Sequence, residues 1–400
     1  MDPVIKSLIV KRFRSIPSEK VDFDNPTFLV GQNGSGKSNF VDIFAFLAEA
    51  MASPLQAVFD KRGGIAVVRN RTSGPSYPPN LGLGVVFGSV NSAMKLGRYA
   101  FEVRALPNYG FEVVREQCLT VGEEGRRDWF DRTPVAGFQS NVKDLKPSLD
   151  PASLALLVVG GDARFAPVLR TLAGMRTYAI EPGKLREMQD PDSGVTLRPD
   201  GGNAASVLQE IERHSPDDVA RICEMLESIV PSTVSVRRKK HGNKVTLEFV
   251  QEWGKKKRLR FEAFNMSDGT LRAVGLLTAV YQRPVPTLLA FEEPEATIHP
   301  GALGAILDLL RHAGRHTQVI VSTHSPDVLD AEWIEDRHLR IVDWHEGATR
   351  VTPISDASRQ VLREHLMGAG ELLRSNALDA QPLFQDGTEL RGGSLFEELG

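Results

Sequence analysis

Eight consecutive residues constrain this chain more than anything else in it. Gly31-Gln32-Asn33-Gly34-Ser35-Gly36-Lys37-Ser38 fit G-x-x-x-x-G-K-[ST] in full. They follow Phe28–Val30, a short apolar run of strand type. They precede NFVDIFAFLAEAMA, where Phe40, Ile43, Phe44, Leu47 and Met51 recur at helical spacing. Strand, glycine loop and helix in that order open a parallel α/β unit. The glycines let the backbone wrap an anion closely, so that successive N–H groups and the helix N-terminus face phosphate oxygens. Lys37 is then placed for β- and γ-phosphates and the Ser38 hydroxyl for Mg²⁺.

The chain has 400 residues, 41% of them hydrophobic, with 48 Lys and Arg against 51 Asp and Glu. That length accommodates roughly two to three domains, or one with a large insertion. A net charge of −3 excludes a globally basic nucleic-acid coat and leaves local patches open. Two cysteines, Cys118 and Cys223, are too few for a disulfide framework or a cysteine zinc site, so a reducing cytoplasm is the expected location. The first residues hold no apolar signal stretch, and no run of about 18 apolar residues occurs, so neither secretion nor a membrane span is expected.

Residues 53–80 read as loop, with SGPSYPPN marking turns. From Leu81 to about Phe130, LGLGVVFG, YAFEVRAL and FEVVREQCLTV read as strands of an antiparallel subdomain, with Pro107-Asn108-Tyr109-Gly110 as a turn. Helical signals dominate 151–229, most clearly Ser215-Pro216-Asp217-Asp218 before an apolar face of Val219, Ile222, Cys223, Leu226 and Ile229. Strands are expected at Thr233–Val236, Lys244–Val250 and around Arg258–Phe264. From Met266 the α/β pattern returns: helix, strand Thr287–Phe291, helix Ala302–His312, strand Gln318–Ser322. A hairpin of LRIVDW and TRVTPI, one C-terminal helix and a mobile Gly/Glu-rich tail complete the reading. The expected division is 1–80, 81–264, 265–355 and 356–400. No fixed repeat or sustained heptad occurs.

Three further segments carry chemistry. LLAFEEPEATIHP ends an apolar strand in Glu292 and Glu293, which suits one carboxylate on Mg²⁺ and a second on the attacking water. Glu292 stands where Asp is usual, one methylene longer. Ser267-Asp268-Gly269 opens the helix LRAVGLLTAVY, either as an anion site or as an ordinary helix cap. VIVSTHSPDVL ends a strand in Thr323-His324-Ser325, where His324 is either a donor to a γ-phosphate oxygen or a satisfied loop histidine.

Together these motifs resemble the ABC-type ATPase heads of the SMC/RecF/OLD class, and more closely the stand-alone ATPases of the AAA_21 type. GQNGSGKSN with Asn39, the opening IKSLIVKRFRSI with Arg14, MSDGTLR as signature loop, EEPEATIHP and Thr323-His324-Ser325-Pro326 carry the resemblance. LRPDGGN at 197–203 and Gly370-Glu371-Leu372 are weaker family features. The resemblance implies an α/β ABC-type ATPase head with inserted antiparallel β- and helical subdomains and no long coiled coil. It implies ATP and Mg²⁺ as ligands. Gly31, Asn33, Gly34, Ser35, Gly36, Lys37, Ser38, Asn39 and Arg14 would bind the nucleotide, Ser38 and Glu292 the metal, and Glu293 and His324 would be catalytic. It further implies a head-to-tail homodimer in which Ser267 and Gly269 act in trans, and a glutamine contacting Mg²⁺, for which Gln139 is the candidate.

Relatives carry long coiled coils or a Toprim nuclease; the segment after Asp330 is short for the latter, so no nuclease is expected. Two basic stretches, Arg237-Arg238-Lys239-Lys240 with His241 and Lys255-Lys256-Lys257-Arg258, read as protruding turns able to contact DNA or RNA backbones. The leading functional expectation is a cytoplasmic ATP hydrolase that switches a partner effector encoded nearby in bacterial anti-phage defence. The alternatives are a RecF-like DNA-repair ATPase, a non-hydrolysing ATP-locked scaffold and, against the β-rich insertion, a transporter subunit.

Overall fold

The computed structural model describes residues 4–70, 80–89, 92–107, 110–122, 125–254, 257–382, 384–385, 388–389 and 394–397. Strands β1 (Val4–Phe13) and β2 (Ile16–Asp22) form a hairpin, and β3 (Thr27–Val30) leads through the glycine loop into α1 (Lys37–Ala50). Helix α1 buries Phe40, Val41, Ile43, Phe44, Phe46 and Leu47, at roughly 1.5–3 kcal/mol for each large side chain. Phe13 meets Phe46 edge-on at 5.5 Å and Phe23 meets Phe44 at 5.9 Å, which fixes the helix against the N-terminal hairpin. Where the sequence reads as loop, α2 (Leu55–Asp60) and α3 (Ile65–Val68) form instead, each too short to show a period yet anchored by buried Leu55, Val58, Phe59, Ile65 and Val68. The turn cluster at 73–79 and the turn residues Asn108 and Tyr109 lie outside the described residues.

An antiparallel meander follows: β4 (Leu81–Ser89), β5 (Ser92–Ala105), β6 (Phe111–Val121), β7 (Arg127–Thr133) and β8 (Gly137–Ser140). With the first hairpin it makes a seven-stranded sheet in the order β2-β1-β4-β5-β6-β7-β8. β4 is buried from Leu81 to Gly88, with Leu81, Leu83, Val85 and Phe87 on one face and Gly82 and Gly84 on the other. Next come α4 (Ala155–Val159), α5 (Ala166–Ala173), β9 (Met175–Tyr178), α6 (Pro182–Arg186), α7 (Ala204–His214) and α8 (Pro216–Ile229). β9 is a strand within a stretch expected to be helical; four residues are too few for an alternation to register. Helix α8 starts as expected, with Pro216 in its first turn beside Asp217 and Asp218, while Ser215 caps without a side-chain hydrogen bond.

A three-stranded antiparallel sheet, β10 (Thr233–His241), β11 (Lys244–Trp253) and β12 (Lys257–Glu262), precedes α9 (Asp268–Tyr281). Then follow β13 (Leu288–Glu292), α10 (Pro300–Ala313), β14 (Gln318–Thr323), α11 (Pro326–Leu329), the hairpin β15 (Leu339–His345) and β16 (Ala348–Pro353), α12 (Asp356–Arg363) and α13 (Ala369–Arg374). Two helices thus stand where one was expected, because Gly368 interrupts the run and caps the second.

The chain divides into two compact units. The first takes residues 1–175, 336–360 and 379–400, and the second 176–335 and 361–378. In the first, β3 pairs in parallel with β15, Val30 opposite Ile341, and β16 flanks β15. In the second, β13 and β14 pair in parallel with Glu292 opposite Ser322, and β9 lies beside β13. Both β13 and β14 are buried almost throughout, as strands covered on two faces are. The tail, expected to be mobile, is instead seated at Ser394–Glu397, where Leu395 is 8% exposed against Ile9 and Ala100 of the first unit's sheet.

Candidate functional site

The first unit carries the phosphate loop. Gly34 and Gly36 hold φ of +82° and +101°, the left-handed region that side chains with a Cβ avoid. A Cβ on Gly36 would also lie 2.0 Å from Thr349 Oγ1, and one on Gly31 2.1 Å from the Val342 carbonyl. Helix α1 starts at Gly36 with no side-chain cap and no acid in its first turn, so its first N–H groups and the positive end of its dipole face the loop. Lys37 is buried, and its Nζ donates to the carbonyls of Gly31 at 2.7 Å and Gln32 at 2.9 Å. The Ser35 hydroxyl is buried with no hydrogen-bond partner, while Asn33 and Ser38 are exposed. An orphaned hydroxyl inside a glycine cradle fits a ligand with phosphate oxygens. Ser38 at the start of α1 fits one ligand position of Mg²⁺, which typically takes few protein ligands beside phosphates and water. Among the described residues no cluster of three or more His, Cys, Asp or Glu is placed to hold a metal ion by itself.

A hydrogen-bonded chain braces this loop. Asn39 Nδ2 donates to Ser15 Oγ at 2.7 Å, Ser15 Oγ lies 2.7 Å from Thr349 Oγ1, and Thr349 Oγ1 donates to the Ser35 carbonyl at 3.0 Å. One proton per hydroxyl runs the chain consistently in one direction, with Ser15 donating to Thr349. Arg14 pairs with Asp42 of α1 at 2.7 Å, and buried Arg62 bridges Asp42 and Glu49. Asn39 and Arg14, expected among the nucleotide ligands, are thus engaged in the frame around the loop. Thr349 was not legible in the sequence, because a hairpin residue 314 positions from Ser35 shows only strand alternation.

The second unit carries the acidic strand end. Because β13 and β14 run in parallel, Glu292–Glu293 and Thr323–His324 emerge side by side at their C-terminal ends. Glu293 has φ of +42°, its N–H donates to the Ser322 carbonyl at 3.0 Å, and its Oε1 lies 2.9 Å from His324 Nδ1. Behind it, Glu295 Oε1 accepts from the Thr323 hydroxyl, which in turn accepts from the Ser325 N–H at 3.0 Å. Glu295 Oε2 is buried with no hydrogen-bond partner. Burial, with a smaller push from the Glu293 charge, raises the Glu295 carboxyl above the ordinary glutamate value.

The signature segment packs on this acidic turn. Ser267 caps α9, its Oγ accepting from the Thr270 N–H at 3.2 Å. A Cβ on Gly269 would lie 2.7 Å from the Thr297 carbonyl, so the glycine is required for close approach. Arg272 Nη1 donates to the Glu293 carbonyl at 3.2 Å, tying α9 to the residue after β13. Burial lowers the Arg272 guanidinium, against the pull of Glu295, Glu293 and Asp268. A cavity of about 430 Å³ opens here, lined by Ser267, Gly269, Thr297, His299 and Ile229 among others. Gly370 fits against the Pro326 carbonyl and Asp330, and Arg374 of α13 pairs with Asp330 at 2.6 Å, so the C-terminal Gly-Glu-Leu segment braces the turn after His324. Asn203 of the LRPDGGN segment accepts from the Arg198 N–H at 2.8 Å at the start of α7.

Gln139, the candidate glutamine, is exposed on β8, the edge strand of the seven-stranded sheet, opposite Asp131. The first basic stretch is not a turn: Arg237–His241 lie within β10, because the alternating Val234 and Val236 carry the strand onward and the tip falls at Gly242. Arg237 and Lys239 pair with Glu248 at 2.6 and 3.1 Å, and Lys239 and His241 with Glu262 at 2.6 and 3.0 Å. Lys257 and Arg258 belong to β12, where Arg258 pairs with Glu252 at 3.0 Å, and Lys255 and Lys256 lie outside the described residues. No helix among the described residues is long and apolar enough to cross a membrane.

Residues 121–330 match the family model described as "AAA domain, putative AbiEii toxin, Type IV TA system", and residues 4–75 match an AAA ATPase domain model. No curated protein matches the sequence. Among solved structures, the chain is similar to an SmcHead bound to the C-winged helix domain of ScpA, with TM-score 0.54 at 16% identity over 88% of this chain and 97% of that one. It is similar to an Smc head domain with an extended coiled coil bound to the C-terminal domain of ScpA from Pyrococcus furiosus, with TM-score 0.53 at 14% identity over 91% and 100%. An Smc head domain with a coiled coil and joint from Pyrococcus yayanosii gives TM-score 0.52 at 12% identity, again over 91% and 100%. At such identities the likeness concerns the fold. The first family model spans more than half of the chain: the protein belongs to the AAA_21 family, and its fold is that of an ABC-type, SMC-like ATPase head.

Proposed function

We propose that this chain is an ATP-hydrolysing, dimerising switch that controls a partner effector, in bacterial anti-phage defence. The observation that carries the reading is the phosphate cradle: two left-handed glycines, an uncapped helix start and the orphaned Ser35 hydroxyl. In this reading Lys37 trades the Gly31 and Gln32 carbonyls for β- and γ-phosphate oxygens, and Ser35 gains its missing partner there. Ser38 and Glu292 would hold Mg²⁺, which would neutralise phosphate charge there. Glu293 orients the attacking water and accepts its proton, and His324, with Nδ1 2.9 Å from that carboxylate, donates toward the γ-phosphate. Ser267 and Gly269 act on the nucleotide of a second copy, so triphosphate favours the closed dimer and hydrolysis releases it.

The family description, with its type IV toxin–antitoxin context, supports the link to an effector, and the engagement of Arg237 and Lys239 with Glu248 and Glu262 weighs against a DNA-binding reading. Replacing Glu293 with Gln should lower ATP turnover on the order of 10²-fold or more while leaving ATP binding intact. The variant should also accumulate as a dimer with ATP and Mg²⁺ in light scattering. Equal background hydrolysis by both proteins would sink the enzyme reading and leave an ATP-locked scaffold. The same variant, recovered from its native cell, should retain a stoichiometric protein partner; DNA without such a partner would point to a repair-type ATPase.

A further inference from the structure

One face of the seven-stranded sheet holds the chain's own C-terminal segment in a way that reads its side chains one by one. Gly82 and Gly84 of β4 and Ala100 of β5 form a shallow trough beside Ile9 of β1. In register they share one face, Gly84 opposite both Ile9 and Ala100. Leu395 fills this trough; a Cβ on Gly82 would lie 2.5 Å from it and one on Gly84 3.1 Å. Glycines repeated along one face of a strand mark close approach of another chain segment, and here that segment is Leu395.

The next residues meet charged partners on the same face. Phe396 lies under the Arg115 guanidinium, 4.5 Å from ring centroid to carbon. Arg98, itself buried, pairs with Glu397 at 3.1 Å and donates to the Ser394 carbonyl. The Gln117 carboxamide makes a reciprocal pair with the Glu397 backbone, accepting its N–H at 3.0 Å and donating to its carbonyl at 2.9 Å, as a strand edge would. Asp131 on β7 holds both readers in place, bonding Arg115 at 2.6 and 3.1 Å and Gln117 at 3.1 Å.

We propose that this face is a docking site for a short peptide of the pattern Leu-Phe-Glu, filled in cis by residues 394–397, which act as a removable plug. Shape selects the leucine, a guanidinium face the aromatic ring, and a buried arginine the acid. A merely structural tail would not need a receptor pre-organised by Asp131 and specific at three successive positions. Release of the plug leaves Arg98 without the Glu397 carboxylate, so the opened site favours another acidic segment of the same pattern.

The test uses a fluorescent peptide of residues 393–400 and two receptors: the chain ending at Gly392, and the full chain carrying Leu395→Asp, each checked by thermal melting for a folded state. Saturable binding to the folded receptors is expected, at least tenfold tighter than to the intact chain, whose own tail competes. Peptides with Leu395→Ala or Glu397→Lys should bind at least tenfold more weakly. Absence of saturable binding to a folded receptor, indifference to the two peptide changes, or equal affinity for the intact chain would each overturn the proposal.

Discussion

Thr349 does more for the phosphate loop than its place in a C-terminal hairpin would suggest. It is fully buried, donates to the Ser35 carbonyl and receives the chain from Asn39 through Ser15, while its hydroxyl occupies the space that a Cβ on Gly36 would need. Thr349→Val keeps the shape and removes the hydroxyl, leaving the Ser35 carbonyl and Ser15 without it. The expected cost is about 2 kcal/mol of stability, from two buried hydrogen bonds. ATP affinity should fall roughly tenfold, seen as a raised KM with kcat little changed. Thr349→Ser should restore both. A Val variant with unaltered KM would mean that the loop holds its shape without the brace. The glycines at 34 and 36 were legible because their motif is contiguous. Thr349 was not, because what it braces is set by a parallel pairing of β3 with β15 that no local pattern records.

Elements whose role depends on pairing show the same limit. The acidic strand end and His324 could be read from sequence, since two apolar runs ending in polar residues are what parallel strands look like, and their register explains the short Glu293–His324 contact. The basic stretch at 237–241 could not, because residue type alone does not reveal that Glu248 lies opposite Arg237 on β11. That carboxylate, with a side chain only 4% exposed, is held below the ordinary glutamate range by Arg237 first and Lys239 next, against its own desolvation. A depressed carboxylate contributes stability above its unfolded pKa and loses it as pH falls through the folded one. Glu248→Gln should therefore cost about 1–2 kcal/mol at pH 7. In urea unfolding the gap between variant and parent should narrow as pH drops below the ordinary glutamate value. A gap independent of pH would show that shape, not charge, holds β10 to β11.

For the whole molecule, the proposed action of Ser267 and Gly269 on a second copy's nucleotide has a direct consequence for mixtures. Ser267→Arg and Glu293→Gln should each abolish turnover alone. If Ser267 serves the partner's nucleotide, an equal mixture regains roughly a quarter of wild-type activity, since half the dimers are mixed and one of their two sites is intact. No recovery would mean that both residues serve one chain's own nucleotide. The braces of the phosphate loop also have a meaning in time. Gly31 backs onto Val342 and Gly36 onto Thr349, so the ribosome delivers the motif about 300 residues before its supports. Nucleotide capture thereby waits on those supports, and a chain terminated before them carries the motif without the walls that give it shape.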